Sequence, residues 1–380
     1  MRYNHLARYW QKGKYMIKIK GNFAQAIIYA DTLDKGSEGL IKTLCNSIIA
    51  ENSKIRIMPD VHPGKGCAVG MTMTLDNKVA PGLVGVDIGC GTEAVKVKPK
   101  RLELQQLDKI VQSKIPSGMN IRQIPHRFAE NAELNKLKCA KHIRIDRSLL
   151  GIGTLGGGNH FIELNKFENG YYLVIHSGSR HLGVEVERYY HELAYERTKD
   201  NVPYEFAYLE GELFDDYLHD MSIVQKFARL NRMAIADDIC KSMKFAELET
   251  FSTIHNYIDT ENKILRKGAI SAQNGEKMII PLNMRDGCLI CKGMGNAEWN
   301  YSAPHGAGRE YSRADTVNSF TLAQYKKEMK GIFSTSISRD TLDECPMAYK
   351  NPQTIIDLIT PTAEITERLM PVYNYKSGVR

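Results

Sequence analysis

The sequence predicts a mixed helix-and-strand protein whose elements run along one interdependent domain, residues 1–380. Three observations carry this. Short apolar runs of strand length, such as 69–75 and 171–175, alternate with segments whose apolar residues recur at three and four, above all 183–246. No internal repeat, long linker or low-complexity stretch divides the chain. The stretches with unusual chemistry run from residue 60 to residue 376, so a cut anywhere would separate them.

Composition is compatible with a real core, at 43% hydrophobic and 25% charged residues. The net charge of +7 admits a polyanionic partner without requiring one. No run of 18 apolar residues is present, and the first residues lack an apolar signal core, so membrane spanning and secretion are not expected. Eight scattered cysteines make no disulfide framework and suit a reduced, cytoplasmic setting.

Taken in order, residues 15–30 read as apolar alternation and 36–50 as a helix. Arg56-Ile57-Met58 then runs as a strand into a Pro/Gly turn bearing Asp60 and His62, which either shape the turn or support a nearby site from behind. Lys65 between glycines could meet an anion, and 69–75 is a strand. Next comes Val84-Gly85-Val86-Asp87-Ile88-Gly89-Cys90-Gly91, read as an apolar strand from Pro81 ending in a Gly-rich turn. Carboxylate and thiol three residues apart suit Mn, Fe, Co or Zn better than Mg or Ca. Alone, the pair reads equally as a turn Asp and a buried Cys.

Residues 101–141 have helical, charged composition with one buried face and no evident chemistry. Gly151-Ile152-Gly153-Thr154-Leu155-Gly156-Gly157-Gly158-Asn159-His160 follows, placing Asn159 and His160 at a loop-to-strand junction with bare N–H groups nearby. It has no phosphate-loop lysine. Tyr171–Ile175 is a buried strand closing on His176-Ser177-Gly178-Ser179-Arg180, where His176 suits a metal and Ser177, Ser179 and Arg180 suit phosphate. A Ser-His hydrolase is not indicated, because no Gly-x-Ser-x-Gly elbow is present.

In 183–246 the Met/aromatic stripe is core, and Asp215-Asp216 is a helix-start pair. His255 closes another short apolar run, and Arg266-Lys267 precedes a small-residue turn. Cys288-Leu289-Ile290-Cys291 has no second pair and reads as strand packing rather than zinc. In Pro304-His305-Gly306-Ala307-Gly308-Arg309-Glu310-Tyr311-Ser312-Arg313 an open imidazole precedes two arginines four apart. If a helix starts here they share a face suited to a phosphoryl group. Residues 352–369 read as a helix, followed by a short polar tail.

Asp87, Cys90, His160, His176 and His255 all sit at Gly-, Asn- or Ser-rich ends of apolar runs. Five such residues serve two ions if a thiolate or carboxylate bridges. His305 is left over, with phosphate-type donors beside it, as nucleophile or acid/base. The residues alone thus point to a metal-dependent phosphoryl or nucleotidyl transferase.

Pro59-Asp60-Val61-His62, Gly85-Val86-Asp87-Ile88-Gly89-Cys90-Gly91, Gly153-Thr154-Leu155-Gly156-Gly157-Gly158-Asn159-His160-Phe161-Ile162-Glu163, His176-Ser177-Gly178-Ser179-Arg180, His255-Asn256-Tyr257, Arg266-Lys267-Gly268-Ala269 and His305-Gly306-Ala307-Gly308-Arg309 occur in this order. The combination resembles the RtcB family of RNA ligases from about Arg56 to Lys376. The resemblance implies a single α+β domain with mixed sheets around a deep cleft for metal and nucleotide. It implies joining of 2′,3′-cyclic phosphate or 3′-phosphate RNA ends to 5′-hydroxyl ends with GTP and two Mn²⁺ ions, through GMP carried on a histidine and then an RNA 3′-guanylate.

By motif, His305 would carry the GMP, and Asp87, Cys90, His160, His176 and His255 would hold metal, with Cys90 shared between the ions. Asn159 would touch the GTP phosphates or their metal. Phe161, Glu163, Tyr349 and Lys376 would hold guanine, with Ala307 and Gly308 along the nucleotide. Arg180 and Arg313 would meet the RNA-end phosphate. The implied partners are RNA with broken ends and GTP, with no membrane; the natural RNA, the oligomeric state and any activating protein are not legible.

The chain departs from the family pattern in four places. Pro281-Leu282-Asn283-Met284-Arg285-Asp286-Gly287 replaces Pro-Gly-Ser-Met-Gly, which puts guanine contacts and nucleotide preference in question. His181 replaces a glycine, Thr92 replaces a Met, and Ser377 to Arg380 extend the end. Two other classes compete: a non-catalytic RNA-end binding protein and a metal-dependent cyclic phosphoesterase. Neither calls for an open imidazole at His305.

Overall fold

The computed structural model describes residues 7–11, 14–168 and 170–378. Two seven-stranded sheets carry the architecture. In spatial order the first comprises Ala7–Gln11, Lys14–Lys20, Gln25–Ile28, Ile55–His62, Val69–Thr74, Ile264–Lys267 and Asn256–Asp259. Its third and fourth strands pair in parallel, and the other pairs are antiparallel. The second runs Ala246–Ile254, Gly91–Lys98, Gly170–Ser177, Phe161–Phe167, Ala363–Lys376, Gly287–Gly293 and Lys277–Asn283, antiparallel throughout. It curls until its two edge strands touch, where the Ile279 N–H donates to Thr253 Oγ1 at 3.2 Å and Lys277 pairs with Glu249 at 2.6 Å. The expected α+β mixture of sheets around a cleft is what forms.

Helix Glu212–Met243 ties the sheets together. Phe214, Met221, Val224 and Phe227 face the core of the first sheet; Ile235, Ile239 and Cys240 face that of the second. The stripe predicted as core is therefore core, and Asp215 lies in the first turn, where its charge suits the helix dipole. Helices Lys35–Cys45 and Arg180–Thr198 also form; the first is capped by Asp34 accepting from Ser37 N at 2.9 Å.

Several expectations are corrected. The run entering Asp87 is a one-turn helix, Pro81–Val84, with Pro at its start; the strand begins only at Gly91, after the turn. Asp60 and His62 belong to the strand Ile55–His62, not to the turn beyond it. In 101–141 only Leu104–Lys114 is α-helical, since Pro116, Gly118 and Pro125 break the segment into short 3₁₀ turns. In 352–369 the helix stops at Ile359, and Thr360-Pro361 hands over to the strand Ala363–Lys376. Cys288 and Cys291 pack within one strand as expected. Three residues apart, they point to opposite faces and cannot share an ion.

Candidate active site

Each expected metal ligand stands where a strand meets a loop. Asp87 and Cys90 precede the strand Gly91–Lys98, His160 precedes Phe161–Phe167, and His176 is next to last in Gly170–Ser177. His255 is the single residue between Ala246–Ile254 of one sheet and Asn256–Asp259 of the other. Pairing of the three second-sheet strands brings these ends together.

Cys90 Sγ lies 3.4 Å from His160 Nε2 and 3.3 Å from His176 Nε2. His160 Nε2 lies 3.1 Å from Asp87 Oδ2, and His176 Nε2 lies 3.3 Å from His255 Nε2. The Cys90, His160 and His176 donor atoms all fall within 4.8 Å of one another. His160 Nδ1–H donates to the Leu155 carbonyl at 2.8 Å and His176 Nδ1–H to the Asn159 carbonyl at 3.2 Å. Those bonds leave each Nε2 a bare lone pair facing the thiol, the arrangement metal-bound histidines use.

Burial holds His176 and His255 well below the ordinary histidine pKa, with neighbouring imidazoles adding to the effect, so both are neutral ligands near pH 7. For Asp87 burial acts upward, but the combined pull of His160, the Cys90 thiol and the Arg180 charge outweighs it and keeps the carboxylate ionised. Burial, with the Asp87 charge, pushes the Cys90 thiol far up; a bound cation reverses this by taking thiolate as ligand. Thiolate, imidazole and carboxylate in one buried cluster fit a first-row transition ion.

The loops bearing these ligands are pinned from behind by two side chains that periodicity hides within helix Glu212–Met243. Asn231 Oδ1 accepts from Gly153 N and Thr154 N at 2.8 and 2.9 Å, while its Nδ2 donates to the Gly178 carbonyl at 2.9 Å. Arg232, fully buried, donates to the carbonyls of Gly89 at 2.8 Å and Ser177 at 3.0 Å. One helix turn thus fixes the three turns that carry the candidate ligands of the second sheet.

His305 stands beside the cluster, its ring centroid 4.8 Å from that of His255. Its Nδ1–H donates to Asp60 Oδ2 at 2.6 Å, and its backbone N–H reaches the same oxygen at 3.1 Å. Asp60 is fully buried, which decides the question left open by its sequence context: it supports the site from behind. The bond leaves His305 Nε2 with a free lone pair. No helix starts at His305, contrary to the sequence expectation. The next helix is Arg313–Ser319, capped by Ser312.

His305 opens on a cleft of ≈ 750 Å³ that also gathers Asn159, Phe161, Glu163, Ala307, Gly308, Tyr349, Lys376 and Arg313, with His176 and His255 in its wall. Buried Glu163 accepts from Asn374 Nδ2 at 2.6 Å and Asn165 Nδ2 at 3.2 Å. Lys376 Nζ lies 5.4 Å over the Phe161 ring. The divergent 281–287 segment is a hairpin tip, and Pro281, Leu282, Asn283 and Met284 reach the cleft. Asn283 spends its amide on the turn, accepting from Arg285 N and Asp286 N at 2.9 Å each.

Arg180 is not brought to Arg313. It lines a second cavity of ≈ 300 Å³ with Asp87, Val86, Met119, Arg147 and His181, while Arg313 pairs with Asp343 and Glu344 in the large cleft. The Arg180 guanidinium threads past Gly156, where any Cβ would stand 1.8 Å from Nη1, and donates to the Gly118 carbonyl at 3.1 Å. Cys90 and His160 lie in neither lining; with Asp87 on one side and His176 and His255 on the other, the cluster forms the partition. Sequence reasoning missed Asn231, Arg232, Arg147 and Glu344, none of which carries a local motif.

A second cluster, His126 with Asp237 and Asp238, has a ligand-like composition, but Arg122 and Arg127 already pair with its carboxylates. Among the described residues no helix is long and apolar enough to cross a membrane.

A family model described as tRNA-splicing ligase RtcB matches residues 45–377. The chain is 30% identical over 364 residues to RNA-splicing ligase RtcB of Escherichia coli (strain K12), an alignment covering 84% of this chain and 88% of that protein. It is 26% identical over 436 residues to tRNA-splicing ligase RtcB of Aeropyrum pernix, covering 86% and 89%.

Proposed function

Because the chain belongs to the RtcB family of RNA ligases, we propose that it seals 2′,3′-cyclic phosphate or 3′-phosphate RNA ends to 5′-hydroxyl ends, using GTP and two Mn²⁺ ions, with residues 1–380 acting as one ligase domain in the cytoplasm. The observation that carries the chemistry is the short bond from His305 Nδ1 to buried Asp60. It selects the tautomer whose Nε2 is a nucleophile, and the carboxylate offsets the positive charge the ring acquires on attack.

In the first step His305 Nε2 bonds to the α-phosphorus of GTP, and the bond to the bridging oxygen breaks, releasing pyrophosphate with the electron pair. Phe161, Glu163, Tyr349 and Lys376 hold the base, and Ala307 and Gly308 let the chain lie against the nucleotide. In the second step an oxygen of the RNA 3′-phosphate attacks the same phosphorus and the N–P bond breaks, leaving a 3′-guanylate. In the third, the 5′-hydroxyl oxygen attacks the 3′-phosphorus, gives up its proton, and GMP departs. Cyclic ends are first opened by water to 3′-phosphate. Mn²⁺ held by Asp87, Cys90, His160, His176 and His255 would neutralise phosphate charge and keep the reacting groups aligned.

Entering and leaving oxygens stand roughly in line at the phosphorus. GMP departs into the large cleft, so the 5′-hydroxyl strand approaches from the far side of the cluster, where the small cavity lies. Its Arg180 and Arg147 suit backbone phosphates, and Met119 and Val86 offer apolar faces to a base or ribose. Arg313 then serves phosphates within the large cleft. A non-catalytic RNA-end binder has no use for an imidazole oriented by a buried carboxylate, and a cyclic phosphoesterase, which could use it as a proton carrier, would form no GMP adduct on it.

Incubating the protein with Mn²⁺ and α-labelled GTP, beside His305→Ala, tests the reading. An acid-labile, alkali-stable protein adduct absent from the variant is expected. Labelling by ATP alone would locate a changed preference in the 281–287 hairpin. No label with any nucleotide would refute the ligase mechanism.

A further inference from the structure

Four polar groups that line the large cleft converge on one carboxylate that no motif singles out. Glu344 Oε2 accepts from Tyr349 OH at 2.6 Å and Lys376 Nζ at 2.9 Å; Oε1 pairs with Arg313 Nη1 at 2.6 Å and Arg309 Nη1 at 3.3 Å. The side chain is only 3% exposed. Its carrier, the 3₁₀ turn Arg339–Glu344, is anchored through Leu342 and Cys345 on Tyr325, Met329 and Met284. The carboxylate is therefore fixed from the core outward, and the four groups are fixed on it.

We propose that Glu344 is the positioning residue on which the cleft's grip on GTP depends, holding Tyr349, Lys376 and Arg313 in their bound places before nucleotide arrives. Each of these is a group that loses freedom when it binds a ligand. The long stems of Lys376 and Arg313 lose the most, and a partner that has already ordered them reduces the cost of association. The Tyr349 ring is set on two sides, its hydroxyl on Glu344 and one face under the Arg309 guanidinium, 5.4 Å from the ring centre. Charge balance favours the same role. Glu344 and Asp343 stand among Arg309, Arg313 and Lys376, so the two carboxylates hold three neighbouring cations together. Without the carboxylate three crowded cations repel one another and turn to water. Burial alone would raise the Glu344 pKa, but Lys376 and the two arginines hold it at about 2, so the carboxylate is charged whenever the enzyme works. Glu344 acts through its neighbours and not on the reacting atoms.

The inference rests on reading this cleft as the GTP site. Its test is guanylation of the full-length protein with Mn²⁺ and varied α-labelled GTP. Losing an ionic hydrogen-bond partner predicts that Glu344→Gln raises the KM for GTP roughly ten- to hundredfold. The labelling rate at saturating GTP should stay within about threefold of wild type, as for lost uniform binding. Glu344→Asp, which keeps the charge, should fall between wild type and Gln, and Tyr349→Phe, which removes one tether, should raise KM by a smaller factor. A wild-type KM in Glu344→Gln, whatever its melting temperature, overturns the inference and leaves a merely structural carboxylate. If that variant does not fold, unchanged KM in both Glu344→Asp and Tyr349→Phe overturns it equally. Absence of any adduct in the wild-type protein refutes the reading of the cleft instead, and this inference with it.

Discussion

Replacing Asp60 by Asn tests the central chemical claim with the least disturbance of shape. Asp60 is fully buried, and its Oδ2 accepts both the His305 backbone N–H at 3.1 Å and Nδ1–H at 2.6 Å. Its Oδ1 is buried with no hydrogen-bond partner, a costly arrangement for a carboxylate kept only for packing. In Asp60→Asn two outcomes compete at the Oδ2 position. If the amide oxygen sits there, both bonds survive but the charge is gone, a loss of about 1.5–3 kcal/mol for an ionic hydrogen bond, or roughly ten- to hundredfold in rate if it acts mainly in the transition state. If the amide nitrogen sits there, it donates to Nδ1, the proton moves to Nε2, and the nucleophile is lost; a wrong tautomer in a comparable histidine–carboxylate pair costs about 10⁴.

The expected result is therefore a fall of about 10–10⁴ in the single-turnover rate of His305 labelling at saturating GTP, with the two ends marking the two amide orientations. Asp60 does not line the cleft, so the KM for GTP should change by less than about threefold. Bound manganese per chain should also be unchanged, because Asp60 contacts none of the five expected ligands. A labelling rate within about threefold of wild type would refute the assignment of His305 Nε2 as the oriented nucleophile.

Two further outcomes follow from the same geometry. Cys90→Ser exchanges a soft thiolate for a hydroxyl at the centre of the cluster; the Co²⁺-loaded variant should lose its sulfur-to-metal absorption band, and metal affinity should fall at least about tenfold by equilibrium dialysis. An unchanged spectrum would place Cys90 outside the coordination sphere. Gly308→Ala sets a Cβ 2.2 Å from the Asp60 carbonyl oxygen at a φ of +74°, so it should lower the urea unfolding free energy by about 1–3 kcal/mol and depress labelling by displacing the strand behind His305. A full-rate, fully stable variant would show that the approach of the two segments is not needed.

The clustering of the candidate metal ligands was legible because each sits at a glycine-, asparagine- or serine-rich end of an apolar run, a local pattern that survives without knowledge of the fold. His305 was legible for the same reason, in its run of small residues. Its partner was only half legible. Asp60 is 245 residues away, and nothing local distinguishes a turn carboxylate from one buried against an imidazole. Glu344 and the Asn231-Arg232 pair were not legible at all. One lies in an ordinary Leu-Asp-Glu-Cys stretch, and the others continue a helical stripe whose apolar period masks two polar residues turned inward. The secondary-structure errors have a common cause as well. Composition at 101–141 and 352–369 favours helix, but prolines and a glycine cut the first, and a Thr-Pro step converts the second to a strand that pairs on both sides in the sheet. The separation of Arg180 from Arg313 is likewise tertiary: both precede or begin helices, but on opposite sides of the metal cluster.

The position of His255 links metal binding to the assembly of the whole site. It is the crossover residue between the two sheets, its backbone N–H donating to the Cys90 carbonyl at 2.9 Å while the next residue's carbonyl accepts from Gly89 N at 2.7 Å. Cys90, His160 and His176 belong to the second sheet, whereas Asp60, which orients His305, belongs to the first. An ion shared by His255 and the other candidate ligands would therefore clamp the crossover against one sheet and, through the 4.8 Å contact of His255 with His305, set the proposed nucleophile relative to the other. Cys90 Sγ, His160 Nε2, His176 Nε2 and His255 Nε2 crowd within a few ångströms of one another, the last two nitrogens 3.3 Å apart, a density of donor atoms that suits a shared cation. A cation bound only by the folded chain stabilises it by RT ln(1 + [L]/Kd), and that free energy is delivered at the junction where the nucleophile stands. Metal affinity and the placement of His305 would consequently be coupled, since the same crossover residue touches both.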